Sequence, residues 1–300
     1  MLATYQHGVV TRRQLTGLSM TPGQIDGQLD ARRWRAETPR VVVMHNHQLT
    51  RAQLMWVALL TAGSRAALCS HTALECAGFR AFASEAEHVH LLVPRGAKTL
   101  DLPNVTVHES RRFKDWELVW FNGLPCTDTA RSAVDAAAWQ RWPRFAMTML
   151  AAVVQQRLCT AAQLDQALAR VGRVRHKQYM RLALRDIAGG AEALGEIDVA
   201  RMCRRFDLKP PDRQVVRRDP SGRKRYLDCE WNLGNGVIVV LEVDGSHHLT
   251  VEHWEADIRR ERKIVTSGRL VLRATSAELR LDPHEVATDL RALGVPSCQK

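Results

Sequence analysis

The run Val237-Ile238-Val239-Val240-Leu241-Glu242-Val243-Asp244 decides the fold of the C-terminal third of this chain. Five apolar residues in unbroken succession read as a strand buried on both faces. Yet the run closes on two carboxylates at i and i+2, which alternation places on one face. A carboxylate beside a core costs several kcal/mol unless it is paired or binds a metal. Gly234-Asn235-Gly236 precedes the run as a hairpin turn, and Gly245-Ser246-His247-His248 follows it.

Working outward, the order is a helix over 191–206, a strand over 214–218, a turn at Pro220-Ser221-Gly222 and a strand over 223–231. After the decisive run come a long helix over about 251–266, a strand over 270–273 and a final helix opened by Asp282-Pro283. This predicts a mixed α/β domain with a helix on each flank of the sheet. A hairpin would bring Asp228 of the preceding strand to the carboxylate pair, and Glu196 lies in the helix before it. Asp228, Glu242, Asp244 and Glu196 would then form an oxygen-ligand site for Mg²⁺ or Mn²⁺. Such an ion lowers the pKa of an attacking water and stabilises phosphodiester cleavage. His248, with His247 as substitute, would move a proton or hold a phosphate. The alternative is a salt-bridged strand end, its carboxylates held by Arg225, Arg260 or Arg273.

These residues also carry a family likeness. Glu242-Val243-Asp244-Gly245-Ser246-His247-His248 resembles the E-[IV]-D-G-x-x-H motif of Vsr-like endonuclease domains, of the PD-(D/E)XK nuclease superfamily. Asp257-Ile258-Arg259-Arg260, Ile264, Gly268 and Val271-Leu272-Arg273 resemble the rest of that signature, with Ile264 in place of leucine. The likeness covers about 110 residues. It implies Asp228 as the superfamily aspartate and Glu196 as the helical glutamate that completes a metal site. Asp244 stands where most of the superfamily has lysine, and aspartate is usual there in the Vsr-like branch. Asp257 and Arg260 are expected to form an ion pair that fixes the long helix.

The N-terminal segment reads as helix, turn, helix and basic hairpin. Thr11-Arg12-Arg13-Gln14 has the capping-box form, and Thr21-Pro22 places a cap before proline at the first helical position. Ile25 and Leu29 share a helix face, and Val41-Val42-Val43 reads as a strand. A winged helix-turn-helix is expected, with Arg12, Arg13, Gln24, Gln28, Arg32, Arg33 and Arg35 on DNA. Gly8 to Leu15, Arg33-Trp34-Arg35 and Val41-Val42-Val43 resemble the winged-helix domain of AbiEi-type antitoxins. Ser70 to Leu74, Gly123 to Thr127 and Ala130-Arg131 fit the same multidomain proteins. In them this module resembles a DNA-binding autorepressor.

Further helices are expected over 54–62 after a Thr50 cap, over 70–78, 130–139, 145–158 and 160–171. Strands are expected over 88–93, 105–108 and 116–121, with a hairpin turn at Asn122-Gly123. His88, His90 and His108 could share a sheet face, without an acidic or cysteine partner at metal-site spacing. His71, at a helix start, reads as structural. Gly189-Gly190 is expected to mark a hinge or domain boundary. The resulting fold class is α+β multidomain: a winged helix over 1–80, a mixed α/β middle region over 81–188, and a PD-(D/E)XK nuclease-like domain over 189–300.

The 300 residues carry 43 Lys and Arg against 32 Asp and Glu, a formal charge of +11. That balance points to a polyanionic partner. The first 194 residues hold 24 basic and 15 acidic side chains, so the excess lies there; from 195 onward the counts are 19 and 17. Seven cysteines without C-x-x-C spacing argue against a disulfide framework or zinc knuckle. The N-terminus lacks the pattern of a signal peptide, and the longest apolar stretch is half a membrane span. A cytoplasmic chain that makes no use of a membrane is expected. Its expected partner is DNA, with a toxin or its own operator in the antitoxin reading. A nonspecific nucleic-acid-binding protein is the blandest alternative.

Overall fold

The computed structural model describes residues 2–82, 87–97, 101–110, 118–189, 195–218, 224–234, 236–244 and 269–298. The chain is a mixed α/β protein of two compact units, Met1–Asp135 and Ala136–Lys300. The boundaries expected at 80 and 188 fall inside these units.

The first unit opens with α1 (Leu2–Tyr5), β1 (Val9–Thr11), α2 (Arg12–Gly17), α3 (Pro22–Asp30), β2 (Arg35–Ala36) and β3 (Val41–Val43). Both expected caps form: the Thr11 side chain accepts from Gln14 N, and that of Thr21 from Gln24 N. Each glutamine bonds back to the cap backbone, closing a capping box. The three strands pair antiparallel in the order β1-β3-β2. Val10, Leu15, Ile25 and Val42 bury one another, with Leu29 and Trp34 packed against them.

Next come α4 (Arg51–Ala62), β4 (Ala67–Leu68), α5 (Ser70–Cys76), β5 (Val89–Pro94), β6 (Val105–Ser110), β7 (Leu118–Phe121) and β8 (Leu124–Thr127). Thr50 and Gln53 close a capping box on α4. The sheet order is β6-β5-β4-β8-β7. Met55, Trp56 and Leu59 of α4 share a core with Val9, Val43, Leu68, Leu91 and Cys126, which ties the small sheet to the large one. The turn at Asn122-Gly123 has φ of 49° and 80°, the paired left-handed geometry of a two-residue hairpin.

Four helices follow: α6 (Thr129–Ala138), α7 (Pro143–Gln155), α8 (Ala161–Arg170) and α9 (Lys177–Gly189). α7 is apolar nearly all round and buried from Ala146 to Val153. α8 begins in a Thr160–Gln163 capping box.

The last region runs α10 (Gly195–Arg205), β9 (Arg213–Arg218), β10 (Lys224–Gly234), β11 (Val237–Asp244), β12 (Arg269–Thr275), α11 (Ser276–Leu281) and α12 (Pro283–Ala292). The sheet order is β12-β11-β10-β9. β9, β10 and β11 are antiparallel, and β12 joins β11 in parallel. Cys229, Trp231, Val239, Leu241, Val243 and Ala274 face one core with Val199, Met202, Leu279 and Leu290 of the helices. Trp231 is fully buried, and its indole N–H donates to Lys209 O at 2.7 Å. The α11 helix is an addition to the sequence reading; Thr275 and Glu278 close its capping box. The expected helix over 251–266 and the turn at 220–222 lie outside the described residues.

Candidate functional site

The decisive run folds as one strand with the expected bounds, Val237–Asp244. Its odd positions 239, 241 and 243 enter the core, so its even positions belong to the opposite face of the sheet. On that second face Glu242 meets Arg273, and Glu230 meets Arg269. Val240, 5% exposed, lies between these two ion pairs in the strand order.

The β10–β11 register sets Asp228 opposite Glu242, and Tyr226 opposite Asp244. Residues directly opposed in an antiparallel pair have Cα atoms about 4.5–5.5 Å apart. The hairpin thus brings together the positions that the sequence was expected to bring together. The side chains of Asp228, Asp244 and Glu196 lie outside the described ones, as do residues 245–268 with His247, His248, Asp257 and Arg260. Among the described residues, no group of three His, Cys, Asp or Glu side chains is placed to hold a metal ion.

Arg273 Nε donates to Glu242 Oε2 at 2.7 Å, and both side chains are partly buried. Of the three arginines named as alternative holders of the carboxylates, Arg273 is thus the one seen in place. The side chains of Arg225 and Arg260 lie outside the described ones. Two carboxylate positions in register supply oxygen donors suited to a hard divalent cation. A guanidinium on one of them is also the arrangement of a structural ion pair.

At the other end of the chain, the candidate DNA-contacting residues divide by what they already touch. Arg12 Nη1 donates to Asp26 Oδ1 at 2.8 Å, linking α2 to α3. Arg35 pairs with Glu37. Gln24 Oε1 accepts from Thr21 N at 2.8 Å and so holds the helix start. Arg13, Arg32 and Arg33 are exposed. Arg32 adopts φ of 54° just past the end of α3, and its carbonyl accepts from Asn46 Nδ2 at 2.9 Å.

The histidine grouping differs from the expected one. His90 and His108 do meet, Nδ1 to Nε2 at 3.1 Å, with rings stacked at 5.4 Å. The third imidazole is His71 of α5, whose ring centre lies 5.8 Å from that of His90. His88 precedes β5 and is exposed. Burial, followed by the charge of His90, lowers the pKa of His71 to about 3 and of His108 to about 4. These rings are therefore neutral at neutral pH. All seven cysteines are free thiols. No helix among the described residues is long and apolar enough to cross a membrane.

No known protein-family profile matches the chain, and no curated protein matches it.

Proposed function

We propose that this chain is a DNA-binding protein whose C-terminal region is a metal-dependent phosphodiester-hydrolysing domain of the Vsr-like, PD-(D/E)XK kind. The observation that carries the proposal is the register that opposes Asp228 to Glu242, two residues before Asp244 on β11. The order helix, three antiparallel strands, then a strand parallel to β11 gives the mixed α/β domain read from the sequence. Asp228 and Glu242, with Glu196, would hold Mg²⁺ or Mn²⁺. A bound ion of this kind supplies a water of lowered pKa and neutralises charge on the phosphate. Asp244 would add a ligand or orient one, and His248 would carry a proton. Arg273 donates to one oxygen of the Glu242 carboxylate and leaves the other for a cation. In the first unit, the order helix, strand, two helices and two-stranded hairpin supports a winged helix, with Arg13, Arg32 and Arg33 on the phosphates.

The test is incubation of the purified chain with plasmid and mismatched DNA in Mg²⁺ or Mn²⁺. Cleavage by the wild type, abolished in Asp228→Ala and Glu242→Gln, is expected. No cleavage by the wild type, or undiminished cleavage by Asp228→Ala, overturns the assignment.

The Glu242–Arg273 ion pair favours a second reading, in which the carboxylates are structural and the chain is an AbiEi-like antitoxin or autorepressor. Footprinting on its own promoter then gives specific protection without metal-dependent cleavage.

A further inference from the structure

A cavity of about 790 Å³ in the Met1–Asp135 unit is bounded by α1, the start of α2, the loop before β3, α4 and the β7–β8 hairpin. Its size falls in the range of about 300–1,000 Å³ typical of small-molecule sites.

One side of its wall is cationic. Arg12, Arg13 and Arg40 all line it, and Arg12 N donates to Arg40 O at 2.9 Å, so the loop is fastened to the first turn of α2. Arg13 and Arg40 are exposed and form no ion pair among the described residues. The other side is aromatic. Trp120 is 65% exposed and Tyr5 53% exposed, which is unusual for rings of that size in a packed unit. The Tyr5 ring lies 5.9 Å from that of Trp56. Gly123 is required for this arrangement, since a Cβ there would lie 2.1 Å from the Tyr5 hydroxyl.

A second observation points to a ligand. Gln6 and Trp56 also line the cavity, and each is only 5% exposed. Gln6 Oε1 and Trp56 Nε1 have no hydrogen-bond partner among the described residues. A buried acceptor and a buried donor left unmade are costly for a protein. Arginines supply phosphate recognition and exposed rings supply stacking, the two contacts that hold a nucleotide.

We propose that this cavity binds a single nucleotide, its base stacked on Trp120 and Tyr5 and its phosphate held by Arg13 and Arg40. The nucleotide is either free or one unit of a single strand; both present the same ring and phosphate. The site stands on its own lining and does not require duplex recognition by α3 or cleavage at β10–β11.

Titration calorimetry on the full chain tests it, with dAMP and dTMP as free nucleotides, an eight-residue oligothymidylate as strand, and a duplex as control. Saturable binding of a free nucleotide or of the oligothymidylate is expected. It should weaken about tenfold or more in Trp120→Ala, the scale of one lost base stack. Arg40→Ala should weaken it as well, and Gly123→Ala should do so by displacing Tyr5. Binding of free nucleotides assigns an effector site; binding of the strand alone assigns a contact to unpaired nucleic acid. No saturable binding of either probe overturns the proposal. So does undiminished affinity in a Trp120→Ala protein that keeps its circular dichroism spectrum. Loss of duplex binding in Arg33→Ala bears on the winged-helix reading and leaves this site untouched.

Discussion

Glu242 and Arg273 face each other across the parallel β11–β12 pair, register partners joined by a 2.7 Å hydrogen bond from Nε to Oε2. Both side chains retain some solvent contact, so the pair contributes at most about 1 kcal/mol. The arginine also occupies one oxygen of a carboxylate proposed to bind a cation. Arg273→Gln is therefore expected to lower stability by about 1 kcal/mol or less, read from the urea midpoint, while raising Mn²⁺ affinity severalfold by calorimetry. Weaker Mn²⁺ binding in this variant would mean that the guanidinium orients Glu242 rather than competing for it.

Trp231 is the bulkiest fully buried side chain among the described residues, and its N–H reaches Lys209 O. Trp231→Ala should cost about 3–5 kcal/mol through the cavity left behind. Trp231→Phe keeps much of the volume and removes the donor, costing about 1 kcal/mol for the lost hydrogen bond to a part-buried carbonyl. A larger loss in the phenylalanine variant than in the alanine variant would contradict this packing account.

How much of this was legible in the sequence follows from the range of the interactions. The caps at Thr11, Thr21, Thr50 and Thr160 depend on a glutamine three residues away, and all four close as boxes. Val237–Asp244 was legible to the residue, because an apolar run between glycine turns has sharp ends. The Thr275–Glu278 box was overlooked because it follows a strand directly, with no loop to announce a helix. β4, two residues long, has too little alternation to be seen; its partners β5 and β8 make it a strand. The choice of Arg273 among three arginines was settled by parallel register, and parallel pairing is non-local. The same holds for His71: α5 brings it to His90, and no local pattern records that contact.

Buried imidazoles make the first unit acid-sensitive. His71 is lowered to about 3 and His108 to about 4, chiefly by burial and then by His90. Unfolded histidine titrates near 6.5. The unfolded chain therefore binds protons first as pH falls, and folding stability declines from about pH 6.5 downward. It is fully present above that pH and lost towards the folded values of about 3 and 4. His71 alone should contribute a slope of about 1.4 kcal/mol per pH unit between about pH 6 and 4. Urea midpoints at pH 7 and pH 5 check this. His71→Phe should flatten the difference, and an unchanged difference would assign the acid sensitivity elsewhere.

Arg131 and Asp135 form an ion pair one helical turn apart, 2.8 Å long and more than nine-tenths buried on both sides. Removing one partner of a buried ion pair takes its counter-charge from the other, at about 3–5 kcal/mol. Asp135→Ala should therefore be more harmful than the double variant Arg131→Met with Asp135→Leu. A double-mutant cycle on denaturant midpoints measures the coupling, and additive losses would refute it.

The exposed arginines near α3 offer a test of DNA contact that does not depend on cleavage. Arg33 is exposed at the end of that helix, whereas Arg12 is already bonded to Asp26 and Arg35 to Glu37. A phosphate contact releases counterions, so losing one reduces the slope of log affinity against log salt by about 0.9. Arg33→Ala is expected to show that reduction in duplex binding by fluorescence anisotropy. Thr21→Ala, which removes a helix cap, should instead cost about 1 kcal/mol of stability and leave the salt slope unchanged. A capping defect and a lost phosphate contact thus separate on two axes. An Arg33→Ala protein with the wild-type slope would remove this arginine from the interface.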